Sequence, residues 1–178
     1  MGDGVAGGVF AVVDVHYLGA YGARAALVVA ADPRFSSVSR ETVVLCPPAE
    51  PYRPGEFYRR ELPPIRAVCA GAGPFAMLFI DGYVDLDPGG RPGLGAYVHA
   101  EFGIPVAGVA KTHFLAATHA VPVTRGQSSR PLYVTAAGFA PSEAADLVRD
   151  MAGPYRIPDA LRRVDRLARG IDLPALGM

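Results

Sequence analysis

The sequence predicts an α/β protein in which helices flank a mixed β-sheet. Three observations carry this. Residues 8–17 (GVFAVVDVHY) and 21–30 (YGARAALVVA) are two Val-rich, alternating segments separated by a short break, the pattern of a β-hairpin. PFAMLFID, residues 74–81, is a continuous apolar run, as expected of a strand buried on both faces between parallel neighbours. Near the C-terminus, 141–152 (PSEAADLVRDMA) and 158–169 (PDALRRVDRLAR) place their apolar residues at helical spacing.

The remaining elements follow in chain order. TVVLC, residues 42–46, offers a third strand after the hairpin. The Pro-rich segment 47–54 is a loop, because proline removes ladder donors. From Gly55 to Ala70 the spacing of Phe57, Leu62, Ile65 and Val68 turns helical. Residues 92–103 suit a helix, 104–110 (IPVAGVA) a second buried strand and 131–136 (PLYVTA) a further one. There is no internal repeat and no linker, so residues 1–178 are expected to form a single domain, and 51% apolar residues suffice for one buried core.

Composition narrows the function. The formal net charge is zero and there is no basic tail, which argues against attachment to nucleic acid mainly by counterion release, though local basic faces remain open. Cys46 and Cys69 stand alone, outside any zinc-like spacing, as thiols of a reducing compartment do. No apolar run approaches the roughly 20 residues that span a bilayer, and no signal-peptide pattern opens the chain. A soluble, cytoplasmic protein is expected.

Acids stand where a core is expected. Asp14 interrupts VFAVVDV, and Asp81 closes FAMLFI. Each alone reads as a turn-capping residue. Two at the ends of core strands in one sheet suggest a site, since strand ends at a switch point are where sites form in open α/β sheets. Converging carboxylates repel unless a cation lies between them, and hard oxygen ligands suit Mg²⁺ or Mn²⁺. Glu61 follows Arg59 and Arg60, as on a surface helix whose charges pair. Asp165 lies within the apolar stripe of RRVDRLAR, four residues before Arg169, with which it can form an i,i+4 pair. Only one of the 17 basic residues is a lysine, Lys111 in GVAKTHF. His113 and His119 read as loop or surface residues, His16 shares a strand face with Asp14, and Arg162, Arg163, Arg166 and Arg169 read as a solvated helix face.

Together these motifs resemble the endonuclease V family, whose members share a ribonuclease H-like fold, from about residue 8 to 169. VDVHY resembles the first-strand motif and assigns Asp14 to metal binding. PYRPGEFYRRELPP resembles the stretch joining a wedge loop to a catalytic glutamate: Tyr52, Pro54 and Gly55 fall in the wedge, Glu61 in the site. IDGYVDLDP resembles the strand with the central metal-binding acid, Asp81. GVAKTHF resembles the segment with the active-site lysine, Lys111, and PYRIPDALRRVDRLAR the C-terminal signature with Asp165. Arg60 and Gly82 join the nucleic-acid-binding positions. The resemblance implies a Mg²⁺- or Mn²⁺-assisted endonuclease of DNA repair that cuts a phosphodiester near deaminated purines, typically inosine, in DNA or RNA. An ammonium near the scissile phosphate accounts for the single lysine.

The chain also departs from the family pattern. The histidine six residues after the central acid is Asp87, which either adds a hard ligand and makes metal dependence stricter, or caps the Pro88-Gly89-Gly90 turn. The second glycine of Asp-Gly-x-Gly is Val84, which places a side chain where family members bring backbone close to the base. The aliphatic wedge position is Arg53, and the late Gly-His is Gly138-Phe139. These losses leave a second reading open, a relative that no longer cleaves and serves as a nucleic-acid-binding or interaction module.

Overall fold

In the computed structural model residues 7–48, 53, 54, 56 and 58–173 are described. Val-rich alternation forms the predicted hairpin. β1 (Val9–Tyr17) and β2 (Ala23–Ala30) pair antiparallel through a 3₁₀ turn at Gly19–Tyr21. β3 (Val38–Cys46) adds antiparallel to β2, beginning four residues before the expected start. Of the extra residues, Ser39 to Glu41 are polar because this is an edge strand; pairing rather than burial holds Val38, Arg40 and Glu41, and Ser39 falls at a register shift where its hydroxyl donates to the Val29 carbonyl.

After α1 (Tyr58–Cys69), the apolar run becomes β4 (Phe75–Asp81), parallel to β1. α2 (Leu94–Phe102) leads to β5 (Val106–Ala110), parallel to β4. β7 (Leu132–Ala137) returns antiparallel, and a strand the sequence pattern does not announce, β6 (Val121–Val123), pairs with it at the outer edge. Pro122 hides β6 in the sequence, and the edge position is where a strand tolerates proline. The order is β3-β2-β1-β4-β5-β7-β6.

The sheet is covered on both faces, as the continuous run 74–81 requires. Val12, Val28, Phe79, Val109 and Val134 pack against α3 (Pro141–Asp150) and α4 (Asp159–Ala168). Alternate residues Ala11, Val13, Leu27, Leu78 and Ile80 pack against α1 and α2. Each fully buried aliphatic contributes about 1.5–3 kcal/mol. The arginines of α4 are tied down, not simply solvated. Arg163 grips both carboxylate oxygens of Glu41 on β3, Arg166 pairs with Asp172, and Arg169 pairs with Asp165. Among the described residues no helix is long and apolar enough to cross a membrane.

Candidate active site

β1 and β4 run parallel in register, Val12 beside Phe79 and Val13 beside Ile80. One residue further, the same alternation brings Asp14 and Asp81 side by side on the face covered by α3 and α4. Asp81 ends β4 as expected, but Asp14 does not end β1, which continues to Tyr17 against β2. What stops at Val13 is the pairing with β4. Just beyond that point both carboxylates line one cleft. Gly82 turns the chain away at φ 129°, a conformation that requires glycine.

The electrostatics bear the marks of crowded acids. Burial, and then the negative charge of Asp81, raise the Asp14 pKa to about 6; a hydrogen bond from the Val15 amide (2.9 Å to Oδ1) and the Lys111 charge act in the opposite direction. Lys111 follows the last residue of β5 and donates from Nζ to Asp81 Oδ2 at 2.6 Å. Both side chains are about one-third exposed (33% and 30%), so the pair remains open to an incoming ligand. Asp165 projects from α4 into the same cleft of about 470 Å³, beside His16, Lys111 and Asp81. Arg169 Nε donates to Asp165 Oδ1 at 3.0 Å, so the i,i+4 pair and the site position coexist.

Glu61 is not the surface acid its neighbours suggest. It is 8% exposed, and its pKa is pushed up to about 8, chiefly by burial and then by Asp14. The Tyr17 hydroxyl, as a hydrogen-bond donor, and the Arg60 charge offset part of this. Burial and the adjacent Glu61 raise the Tyr17 pKa in turn. Arg60 lies 4.6 Å over the Tyr17 ring, so it supports this corner from inside the protein. Glu61, Asp14, Asp81, Ile65, Leu86 and Leu94 line a second cavity of about 370 Å³; Asp14, Asp81, Gly82 and Tyr83 line both. Four acids, Asp14, Glu61, Asp81 and Asp165, and Lys111 therefore converge on one end of the sheet.

Other predicted positions fall as follows. Tyr52 and Gly55 of the wedge lie outside the described residues, while Pro54 and Arg53 are exposed. Asp87 takes the turn role: its Oδ1 accepts the Arg91 amide (3.2 Å), its carbonyl accepts the Gly90 amide (3.1 Å), and it lines neither cavity. Val84 does not fill the space beside Gly82. Its side chain, 1% exposed, is turned into the core against Gly95, where a Cβ would stand 2.7 Å from Val84 Cγ2. His119 is not a surface histidine, since both its ring nitrogens are buried without a hydrogen-bond partner among the described residues. His113 is exposed and packs on Tyr133.

Tyr83 escaped the sequence reading. Its hydroxyl donates to the Thr112 carbonyl (2.8 Å) and accepts from the Phe114 amide (3.0 Å), fixing the turn after Lys111. Its place directly after Asp81-Gly82 was the available signal. Among the described residues no three His, Cys, Asp or Glu side chains form a ready metal cage.

A mixed sheet of this order, with acids on adjacent parallel strands and a lysine after the third, defines a ribonuclease H-like nuclease fold. Solved structures share it. Human ENDOV superposes with a TM-score of 0.73 at 22% identity, over 91% of this chain and 83% of that one. A Ciona intestinalis endonuclease V, solved with a 23mer DNA containing an inosine followed by a ribo-adenosine, gives 0.76 at 16% identity, over 91% and 84%. A Streptomyces avermitilis endonuclease V gives 0.71 at 25% identity, over 91% and 80%. The family model for endonuclease V matches residues 5–139, and the Azotobacter vinelandii endonuclease V is 32% identical over 90% of this chain and 82% of its own length. The chain belongs to the endonuclease V family of nucleases.

Proposed function

We propose that this protein is a Mg²⁺- or Mn²⁺-dependent endonuclease that cleaves a phosphodiester near inosine in DNA or RNA, carried by one domain over residues 1–178. The observation that carries the reading is the convergence of Asp14, Glu61, Asp81, Asp165 and the only lysine, Lys111, at one end of the sheet. The relatives seen with inosine-containing DNA support the choice of substrate. The free thiols Cys46 and Cys69 suit a reducing, cytoplasmic setting.

The residues fit a divalent cation. Asp14 and Asp81 are hard oxygen donors side by side, and Asp14 is held partly protonated by burial and by Asp81, a strain that a cation relieves. When bound there, the cation would lower the pKa of water and stabilise charge developing on phosphate oxygens. The protein's own groups supply the rest. Lys111, paired with the partly exposed Asp81, offers a compact positive charge to a phosphate oxygen entering the cleft. Glu61, with the Tyr17 hydroxyl behind it, can hold or release a proton near pH 8. The cavity between Gly82, Tyr83, Leu86 and Leu94 offers an apolar recess for a base taken out of its stack.

The test incubates purified protein with Mg²⁺ or Mn²⁺ and labelled single-stranded and duplex DNA and RNA, with and without inosine, alongside Asp81→Asn and Lys111→Met. Cleavage near inosine that Asp81→Asn abolishes and Lys111→Met slows strongly but measurably is the expected outcome. Binding without cleavage in every condition would instead establish the non-cleaving reading.

A further inference from the structure

Lys111 sits where the sheet runs out of partners. β5 ends at Ala110, which pairs with Tyr133 of β7, and two residues before Tyr133 stands Pro131, which has no N–H with which to extend the ladder. The gap is closed from elsewhere. Arg156 Nη2 donates to the Lys111 carbonyl at 2.6 Å and to the Pro131 carbonyl at 2.9 Å, and its Nε donates to the Arg130 carbonyl at 2.9 Å. One guanidinium thus ties the end of β5 to the start of β7. The planar guanidinium holds its N–H groups at fixed spacing and so spans the three carbonyls with little further ordering, whereas a lysine would have to bring all three to one nitrogen at the end of a flexible stem.

Arg156 is itself held in place, although it belongs to the irregular segment between α3 and α4. Arg125, 7% exposed, donates from Nη1 to the Tyr155 carbonyl (2.8 Å) and from Nη2 to the Gly153 carbonyl (3.0 Å) and that of Met151. Gly126, at φ 59°, brings its backbone so close to the Pro154 carbonyl that a Cβ would stand 2.6 Å away. The chain from Arg125 through Tyr155 and Arg156 to Lys111 is a continuous set of backbone anchors ending at the site.

We propose that Arg156 is a positioning residue for Lys111. It fixes the backbone from which the ammonium reaches Asp81, and Arg125 fixes Arg156. The predicted effect on rate, though not on positioning, rests on the nuclease reading given above.

Because Lys111 is the only lysine, protein labelled with ¹³C,¹⁵N-lysine carries a single set of lysine NMR signals. In the parent protein the two Hε protons are expected to give separate resonances, the signature of a held side chain. Arg156→Gln is expected to merge them and move the Cε and Hε shifts towards those of free lysine, with Arg156→Lys in between. In single-turnover cleavage, Arg156→Gln is expected to lose about 10–100-fold in rate, with KM within about twofold, and to lose nothing further in a Lys111→Met background. Unchanged Lys111 resonances in Arg156→Gln, or equal losses in both backgrounds, would overturn the proposal. If Lys111→Met cleaves as well as the parent, the nuclease role of the lysine fails, and the resonances alone decide the positioning role. Should Arg156→Gln not fold, Arg156→Lys carries the same comparisons.

Discussion

Metal-free protein is expected to lose stability as pH rises from 5 to 8, and Glu61 is the main cause. Its pKa is about 8 in the fold against 4.5 ordinarily, so between these values the folded state binds more protons than the unfolded state. Stability is fully present below pH 4.5 and lost as pH rises through 8. At about 1.4 kcal/mol per pKa unit, integrating from pH 5 to 8 gives a loss of about 3 kcal/mol. For a chain of this size that is about 6–12 °C in Tm. Asp14, displaced from 3.8 to about 6, works in the same direction, its loss complete by about pH 7. The assay is thermal unfolding in EDTA at low ionic strength across this range, for the parent and for Glu61→Gln. Glu61→Gln is expected to flatten the profile by at least half, and millimolar Mg²⁺ or Mn²⁺ to restore the parent at pH 8. A Tm that rises from pH 5 to 8 in EDTA, or a Glu61→Gln profile parallel to the parent, would refute the reasoning.

Three further outcomes are expected. Asp87→His is expected to leave the metal titration of cleavage superimposable on the parent while costing about 1 kcal/mol of stability, because the carboxylate serves the 87–91 turn; a shifted metal midpoint would return Asp87 to the site. Val84→Ala is expected to cost about 1–3 kcal/mol in chemical denaturation with no change in the ratio of cleavage with and without inosine, since Val84 packs on Gly95 and does not line the cavity; a changed ratio would show that Val84 reads the base. Tyr52→Ala is expected to weaken binding of inosine-containing strands by about 1–3 kcal/mol through loss of one stacked base, measured by fluorescence anisotropy; an unchanged Kd would remove Tyr52 from the interface.

Much of this was legible in the sequence because it rests on local pattern. Val-rich alternation announces β1 and β2, and the run 74–81 announces a strand with parallel neighbours, which β4 has on both sides. The acids were legible because a carboxylate in an apolar strand demands an explanation. Burial decided by distant partners was not. Glu61 follows two arginines and reads as exposed, yet Tyr17, 44 residues earlier, meets it in the interior. Arg125 lies in the polar segment VTRGQSSR, where nothing local marks it, and the α3–α4 segment that buries it comes some 30 residues later. β6 was invisible because three residues containing a proline carry no period to detect.

The departures from the family pattern take a different meaning once they are placed in the fold. Asp14 and Asp81 sit on the two central strands of the sheet, where register with β2, β4 and β5 fixes them from several sides. Lys111 leaves the next strand and is held at its carbonyl by Arg156 and at the following turn by Tyr83. The substitutions fall on positions that neighbours absorb. Val84 is accepted because Gly95 offers no side chain against it, and its amide keeps a hydrogen bond to Thr135 Oγ1 at 2.8 Å. Asp87 is accepted because the turn it caps lies away from both cavities. Loss of the family glycine and histidine therefore removes neither the acid pair nor the lysine, and the recess beside Gly82 remains lined by Tyr83, Leu86 and Leu94. The side chains on which the proposed cleavage rests, Asp14 beside Asp81 with the Lys111 ammonium on Asp81, are therefore retained together despite those losses.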